Sequence, residues 1–78
     1  MADIQSPLPG TFYHRPTPED APYKSKGDAV AMGDVIGLVE VMKTFIEVKA
    51  EIEGTFGGYV SDNEGAVTAG QVLATLDE

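Results

Sequence analysis

Cysteine and tryptophan are absent, histidine occurs once, and Lys plus Arg total five against 13 Asp plus Glu. Each scarcity removes a class of chemistry. Without cysteine there is no disulfide framework, thiolate zinc site, iron–sulfur cluster or cysteine nucleophile. A single histidine leaves out every metal motif that needs two. The net charge of −8 argues against a nucleic-acid partner, because phosphate contacts draw on clustered Lys and Arg. No apolar run approaches the roughly 20 residues of a membrane-spanning helix, and Met1-Ala2-Asp3 has no secretory-leader character, so no membrane partner is expected. A chain of 78 residues is expected to form one domain, 1–78, burying roughly 60% of its unfolded surface. Such a core holds a small fold together but leaves little room for a deep catalytic cleft. A soluble, acidic, intracellular domain is the expectation.

What is present points to packed β-structure. Hydrophobic residues make up 42% of the chain, in short Val, Ile, Leu and Phe runs punctuated by nine Gly and five Pro. Residues 4–12 align with 48–56 at an offset of 44, with Gly-Thr-Phe identical in both. Residues 29–36 align with 66–73 at an offset of 37. The chain therefore reads as two similar halves, the first carrying a surplus of seven residues between Phe12 and Ala29. That surplus lies in residues 14–23, which hold three of the five prolines and are expected to form a rigid protruding loop. Without context, such an insertion is an ordinary surface loop.

The strand signals cover 35–40, 45–49 and 72–76, and no segment sustains a helical period. Alternation places Val35, Gly37 and Val39 on one face and Ile36, Leu38 and Glu40 on the other. The expected fold is all-β: two four-stranded sheets, one around each half with strands exchanged, packed as a flattened barrel or sandwich. Under a two-fold relation the turn at 41–44 occupies one pole and both chain ends the other.

That turn is locally inconsistent. Tight hairpins favour Asn-Gly or Asp-Gly because primed turns need positive φ at the apex, yet this apex reads Glu40-Val41-Met42-Lys43-Thr44-Phe45. Holding a non-Gly residue there costs on the order of 1 kcal/mol. A lysine at a hairpin tip is ordinarily a solvated charge, and Met42 could simply cover the core edge. Against that, the lysine lies near the centre of the chain, on the hairpin joining the two halves. Presentation of Lys43 is the sharper reading.

These residues resemble a known family. Glu40-Val41-Met42-Lys43 is similar to the Glu-Ala-Met-Lys attachment motif of the biotinyl domains of biotin carboxyl carrier proteins, with Val41 in place of Ala and Thr44 where a second Met is usual. Ser6-Pro7-Leu8-Pro9-Gly10-Thr11-Phe12-Tyr13 resembles the family's Ser-Pro-Met-x-Gly-Thr-Phe-Tyr opening. The resemblance runs from about Ile4 to Asp77. It implies a flattened β-barrel of two pseudo-symmetric halves. The surplus at 14–23 then corresponds to the thumb of carriers of the bacterial and plastid acetyl-CoA carboxylase type. In those carriers a thumb Thr within a Thr-Pro-Ser-Pro-like stretch packs against the biotin ring. Thr17 is the nearest candidate here, while Arg15 stands where ungapped alignment places that Thr.

The resemblance further implies covalent biotin on Lys43, attached as an amide by a biotin protein ligase, with Glu40, Val41, Met42 and Thr44 as the presenting residues. A biotin carboxylase would load the ureido nitrogen and a carboxyltransferase would pass the carboxyl group to an acyl-CoA, expected to be acetyl-CoA for fatty-acid synthesis. The domain itself would be a non-catalytic carrier, cytoplasmic or plastidic. Alternatives are a lipoyl carrier domain, whose apex usually reads Asp-Lys-Ala, and a biotin carrier of another acyl-CoA carboxylase or decarboxylase. A small Ser-His hydrolase lacks Gly-x-Ser-x-Gly, and His14 reads as a loop-base packing residue. Asp62-Asn63-Glu64-Gly65 lacks the spacing of a calcium loop and reads as a turn. An unmodified adaptor would have no reason to keep Met42-Lys43.

Overall fold

Short β-branched runs separated by Gly, Asp and Pro become strands when each can bury one face against another sheet. The computed structural model describes residues 2–77, which form eight strands and no helix. In chain order these are β1 (Ala2–Gln5), β2 (Gly10–Tyr13), β3 (Ala29–Val30), β4 (Val35–Val41), β5 (Thr44–Lys49), β6 (Gly54–Tyr59), β7 (Gly65–Val67) and β8 (Val72–Asp77). They make two four-stranded antiparallel sheets, ordered β1-β8-β6-β3 and β5-β4-β2-β7. Replacing each strand by its repeat partner (β1 by β5, β2 by β6, β3 by β7, β4 by β8) converts one order into the other. The register obeys the same operator: Phe12 faces Val39 in one sheet and Phe56 faces Leu76 in the other. The expected exchange of strands between halves, within an all-β flattened sandwich, is the observed architecture. The operator also carries the β4–β5 hairpin onto β8 and β1, so Ala2 and Asp77 take the place in one sheet that the turn takes in the other.

Between the sheets lie Phe12, Phe56, Ile36, Leu73, Leu76 and Val39, all fully buried. One expectation needs correction. Strict alternation would set Ile36 with Leu38 and Glu40, on the face away from Val39. Ile36 and Val39 are instead both in the core. In β4 the register passes from Val35 to Gly37 while β5 passes only from Lys49 to Val48, leaving Ile36 as an extra, unpaired residue. Such a bulge resets which side chains face inward. The repeat uses the same device again: β8 passes from Val72 to Ala74 while β1 passes from Gln5 to Ile4, leaving Leu73 as the extra residue. Leu38, on the outer face, is buried outside the core cluster. Gly37 is required next to the first bulge, because a Cβ there would stand 2.5 Å from Phe12 Cε1 and 2.8 Å from the Tyr13 carbonyl oxygen.

Tyr59 closes the core under the loop between β2 and β3. Its hydroxyl donates to the Ile36 carbonyl at 2.7 Å, and its ring stacks on His14 at a centroid distance of 3.7 Å and 8°. Burial pushes its phenol from the ordinary 10.0 up to about 12. The folded chain thus holds this proton more tightly than the unfolded chain. The resulting stability is complete below pH 10 and is lost as pH rises toward about 12. The urea midpoint should therefore fall above pH 10, and Tyr59→Phe should reduce that slope; an unchanged slope would contradict this assignment.

Candidate functional site

The β4–β5 hairpin closes with the Val41–Thr44 pair, leaving Met42 and Lys43 as its two-residue loop. Their φ values are +51° and +68°, the left-handed pair a primed turn demands. Neither residue is suited to that backbone, which costs L-residues about 1–2 kcal/mol each. Met42→Gly should therefore raise stability by about 1 kcal/mol in urea unfolding; a loss would mean that the Met42 side chain holds the turn.

The apex stands clear of the body. Met42 is 94% exposed, the largest exposure among the large hydrophobic residues described, and Lys43 and Thr44 are exposed as well. Val41 is half-buried against the core, which seats the arch. Glu40 accepts a hydrogen bond from the Tyr13 hydroxyl at 2.8 Å, tying β4 to β2 just below the turn. That bond first, and burial second, holds the Tyr13 phenol above its ordinary pKa. The Tyr13 ring also leans on Phe45 at 5.8 Å. The lysine thus stands above a base fixed by packing, by the strand pairing and by one cross-strand side-chain bond.

The four lysines occupy different settings. Lys24 Nζ pairs with Asp34 at 3.1 Å, and Lys49 Nζ lies 3.8 Å from Glu47. Lys26 lies in the turn before β3. Lys43 makes no ion pair among the described residues and alone sits at a strand-to-strand apex.

The proline-rich loop leaves β2 and is pinned at its base. The Tyr23 amide donates to the His14 carbonyl at 2.9 Å. His14 Nε2 lies 2.7 Å from the Ser61 carbonyl, and the His14 amide donates to Asn63 Oδ1 at 2.8 Å. His14 is a packing residue, its ring stacked on Tyr59 and edge-on to Phe12. An inner turn follows, with the Asp20 amide donating to the Thr17 carbonyl at 3.1 Å and Thr17 Oγ1 donating to Asp20 Oδ2 at 2.8 Å. The residues 62–65 form a turn closed by the Gly65 amide on the Asp62 carbonyl at 3.2 Å. Among the described residues no cluster of three or more His, Asp or Glu side chains could hold a metal ion.

Between this loop, β5 and the β6–β7 turn lies a cavity of about 290 Å³, walled by Tyr13, Arg15, Thr17, Phe45, Asn63 and Glu64. Phe45, two residues after Lys43 in the chain, lies on its wall. Two larger hollows, of about 950 and 460 Å³, touch no apex residue. The structure therefore brings Thr17 and the apex to one side of the molecule. Sequence reasoning missed Tyr13, Phe45, Asn63 and Glu64. A signal existed for two of them: Tyr13 and Phe45 fall out of phase with the inward-facing Phe12 and Val48, so two aromatics share an outer face.

The profile of the family described as biotin-requiring enzyme matches residues 2–76. The chain is 37% identical over 76 residues to the biotin carboxyl carrier protein of acetyl-CoA carboxylase from Porphyra purpurea, covering 97% of this chain and 48% of that protein. It is 34% identical over 73 residues to the protein of the same name from Pseudomonas aeruginosa, covering 94% and 47%. The chain spans about half the length of the curated relatives it matches. Among solved structures, a succinylglutamate desuccinylase/aspartoacylase from Rhodobacter sphaeroides superposes over 96% of this chain and 21% of its own, with a TM-score of 0.67 and 20% identity. At that identity the likeness concerns the fold alone.

Proposed function

The chain belongs to the biotin-requiring enzyme family, and from that premise we propose that it is a biotin carboxyl carrier domain with biotin joined to Lys43 through an amide. The observation that carries this reading is the apex itself: a primed turn built from Met42 and Lys43 at positive φ, exposed and without an ion pair among the described residues. The residues present fit the group. Lys43 offers an Nζ that a ligase can reach, and a cavity walled by aromatic rings and polar side chains opens beside it.

When attached, biotin supplies a ureido nitrogen that can carry a carboxyl group. The protein's own part is mechanical and electrostatic. Glu40 and Tyr13 fix the base of the hairpin, Val41 anchors it in the core, and Met42, Lys43 and Thr44 form the surface that a biotin protein ligase would read. Acylation of Nζ removes the one positive charge at the apex, leaving the chain one unit more negative than −8. Thr17 lies on the cavity wall, where the thumb would flank the arm. A tether of this kind raises the effective concentration of its head group at successive active sites without dissociation. Those sites are a biotin carboxylase and a carboxyltransferase of an acetyl-CoA carboxylase, with the domain itself non-catalytic and working in the cytoplasm or a plastid.

Intact mass after expression with a biotin ligase tests this directly. We expect an increase equal to biotin minus water. An unshifted mass, or an increase matching lipoate, would overturn the reading.

A further inference from the structure

The apex sets an oxidisable sulfur beside the acceptor amine. Met42 and Lys43 are the whole of the two-residue loop, so whatever engages Lys43 also meets Met42. At 94% exposure the Met42 thioether stands in solvent, open to small oxidants. It takes no part in the core cluster, and the turn is closed by the Val41–Thr44 pair rather than by this side chain. Gly27, Gly33 and Gly70 fill positive-φ positions elsewhere in the chain, whereas here a methionine is held at +51° against its backbone preference. A side chain kept at that cost, with no contact in the core, has its use outside the fold.

Oxidation changes that side chain while leaving the fold alone. A hydroperoxide supplies the oxygen: a sulfur lone pair attacks the distal peroxide oxygen, and the S–O bond forms as the O–O bond breaks. The leaving oxygen takes the proton of the transferred one and departs as water or an alcohol. Sulfur is oxidised by two electrons and the peroxide is reduced by the same two. A soft apolar thioether becomes a polar sulfoxide. Burying that dipole in a partner's surface without a hydrogen bond is unfavourable. Resting on the reading that Lys43 carries biotin, we propose that Met42 is a reversible oxidation site that gates attachment: the thioether admits the ligase and the sulfoxide hinders it. A dithiol-dependent sulfoxide reductase reverses the step, its two electrons removing the oxygen as water. Met32 provides the contrast. It is 72% exposed in the turn before β4, beside the hollow of about 950 Å³ that touches no apex residue.

The test treats the full, unmodified chain with dilute hydrogen peroxide, removes the peroxide, and then supplies a biotin ligase, ATP and biotin. Peptide mapping should show sulfoxide on Met42 at least as early as on Met32. The initial rate of biotin attachment, followed by intact mass, should fall about tenfold on full conversion of Met42. The thermal midpoint should stay where it was, and sulfoxide reductase should restore the rate. Met32→Leu should keep the whole response. Met42→Leu, which keeps an apolar side chain without an oxidisable sulfur, should attach biotin equally fast before and after peroxide. Complete Met42 sulfoxide with an undiminished rate overturns this proposal alone, as does a loss that persists in Met42→Leu. A chain that takes up no biotin before peroxide overturns the functional reading and this proposal with it.

Discussion

Lys43→Arg is expected to leave a folded domain that accepts no biotin. Arginine keeps the positive charge and the length of the side chain, but its guanidinium stays protonated at any working pH and cannot attack an activated acyl group. The substituted position is exposed and makes no ion pair among the described residues, so the change in stability should stay within about 0.5 kcal/mol. The loss of modification should be complete, since Lys24 and Lys49 lie beside carboxylates and Lys26 lies off any strand-to-strand apex. Intact mass and a thermal melt on the same sample check both halves. A retained mass increase would mean that another lysine is the acceptor.

Phe12→Ala should have the largest effect on stability. The ring is fully buried, packs edge-on to His14 at 5.3 Å and near Tyr59 at 6.0 Å, and fills the space that Gly37 leaves open. Truncating a buried Phe costs about 3–5 kcal/mol once the cavity is counted. A domain of this size has a total stability of about 4–12 kcal/mol, so the variant should sit near the limit of folding. Phe56→Ala, at the repeat-related position, should cost about as much, because Phe56 is equally buried and occupies the equivalent register. The coupling to Gly37 can be measured. Gly37→Ala should be strongly destabilising alone but less so when Phe12 is already Ala, because the ring it would strike is gone; the clash with the Tyr13 carbonyl oxygen would remain. Urea unfolding of the four proteins closes the cycle. A loss below 1 kcal/mol for Phe12→Ala would contradict the placement of the core. The consequence reaches the apex, because β2 carries both Phe12 and the Tyr13 that holds Glu40.

Much of this fold was legible in the chain. The repeated Gly-Thr-Phe at 10–12 and 54–56 marks equivalent strands, and the two offsets pair every strand with its partner. The apex was legible as a conflict: Met42-Lys43 is a poor primed turn by sequence, and the backbone nonetheless takes positive φ at both residues. Two features were hidden. The bulges at Ile36 and Leu73 fall on ordinary apolar residues; Gly37 adjoins the first, but the second has no glycine beside it, so strict alternation misplaced Ile36. The cavity depends on contacts between residues far apart in sequence, His14 with Ser61 and Asn63, which no local pattern encodes.

On the proposed reading, this small two-fold body holds one lysine outward for biotin. Its most direct test is residue-level mass mapping of the wild-type chain after proteolysis, once it has been exposed to a biotin ligase. All of the biotin should be on the peptide containing Lys43, with none on Lys24, Lys26 or Lys49. Biotin on any of those three, or spread among them, would contradict the account.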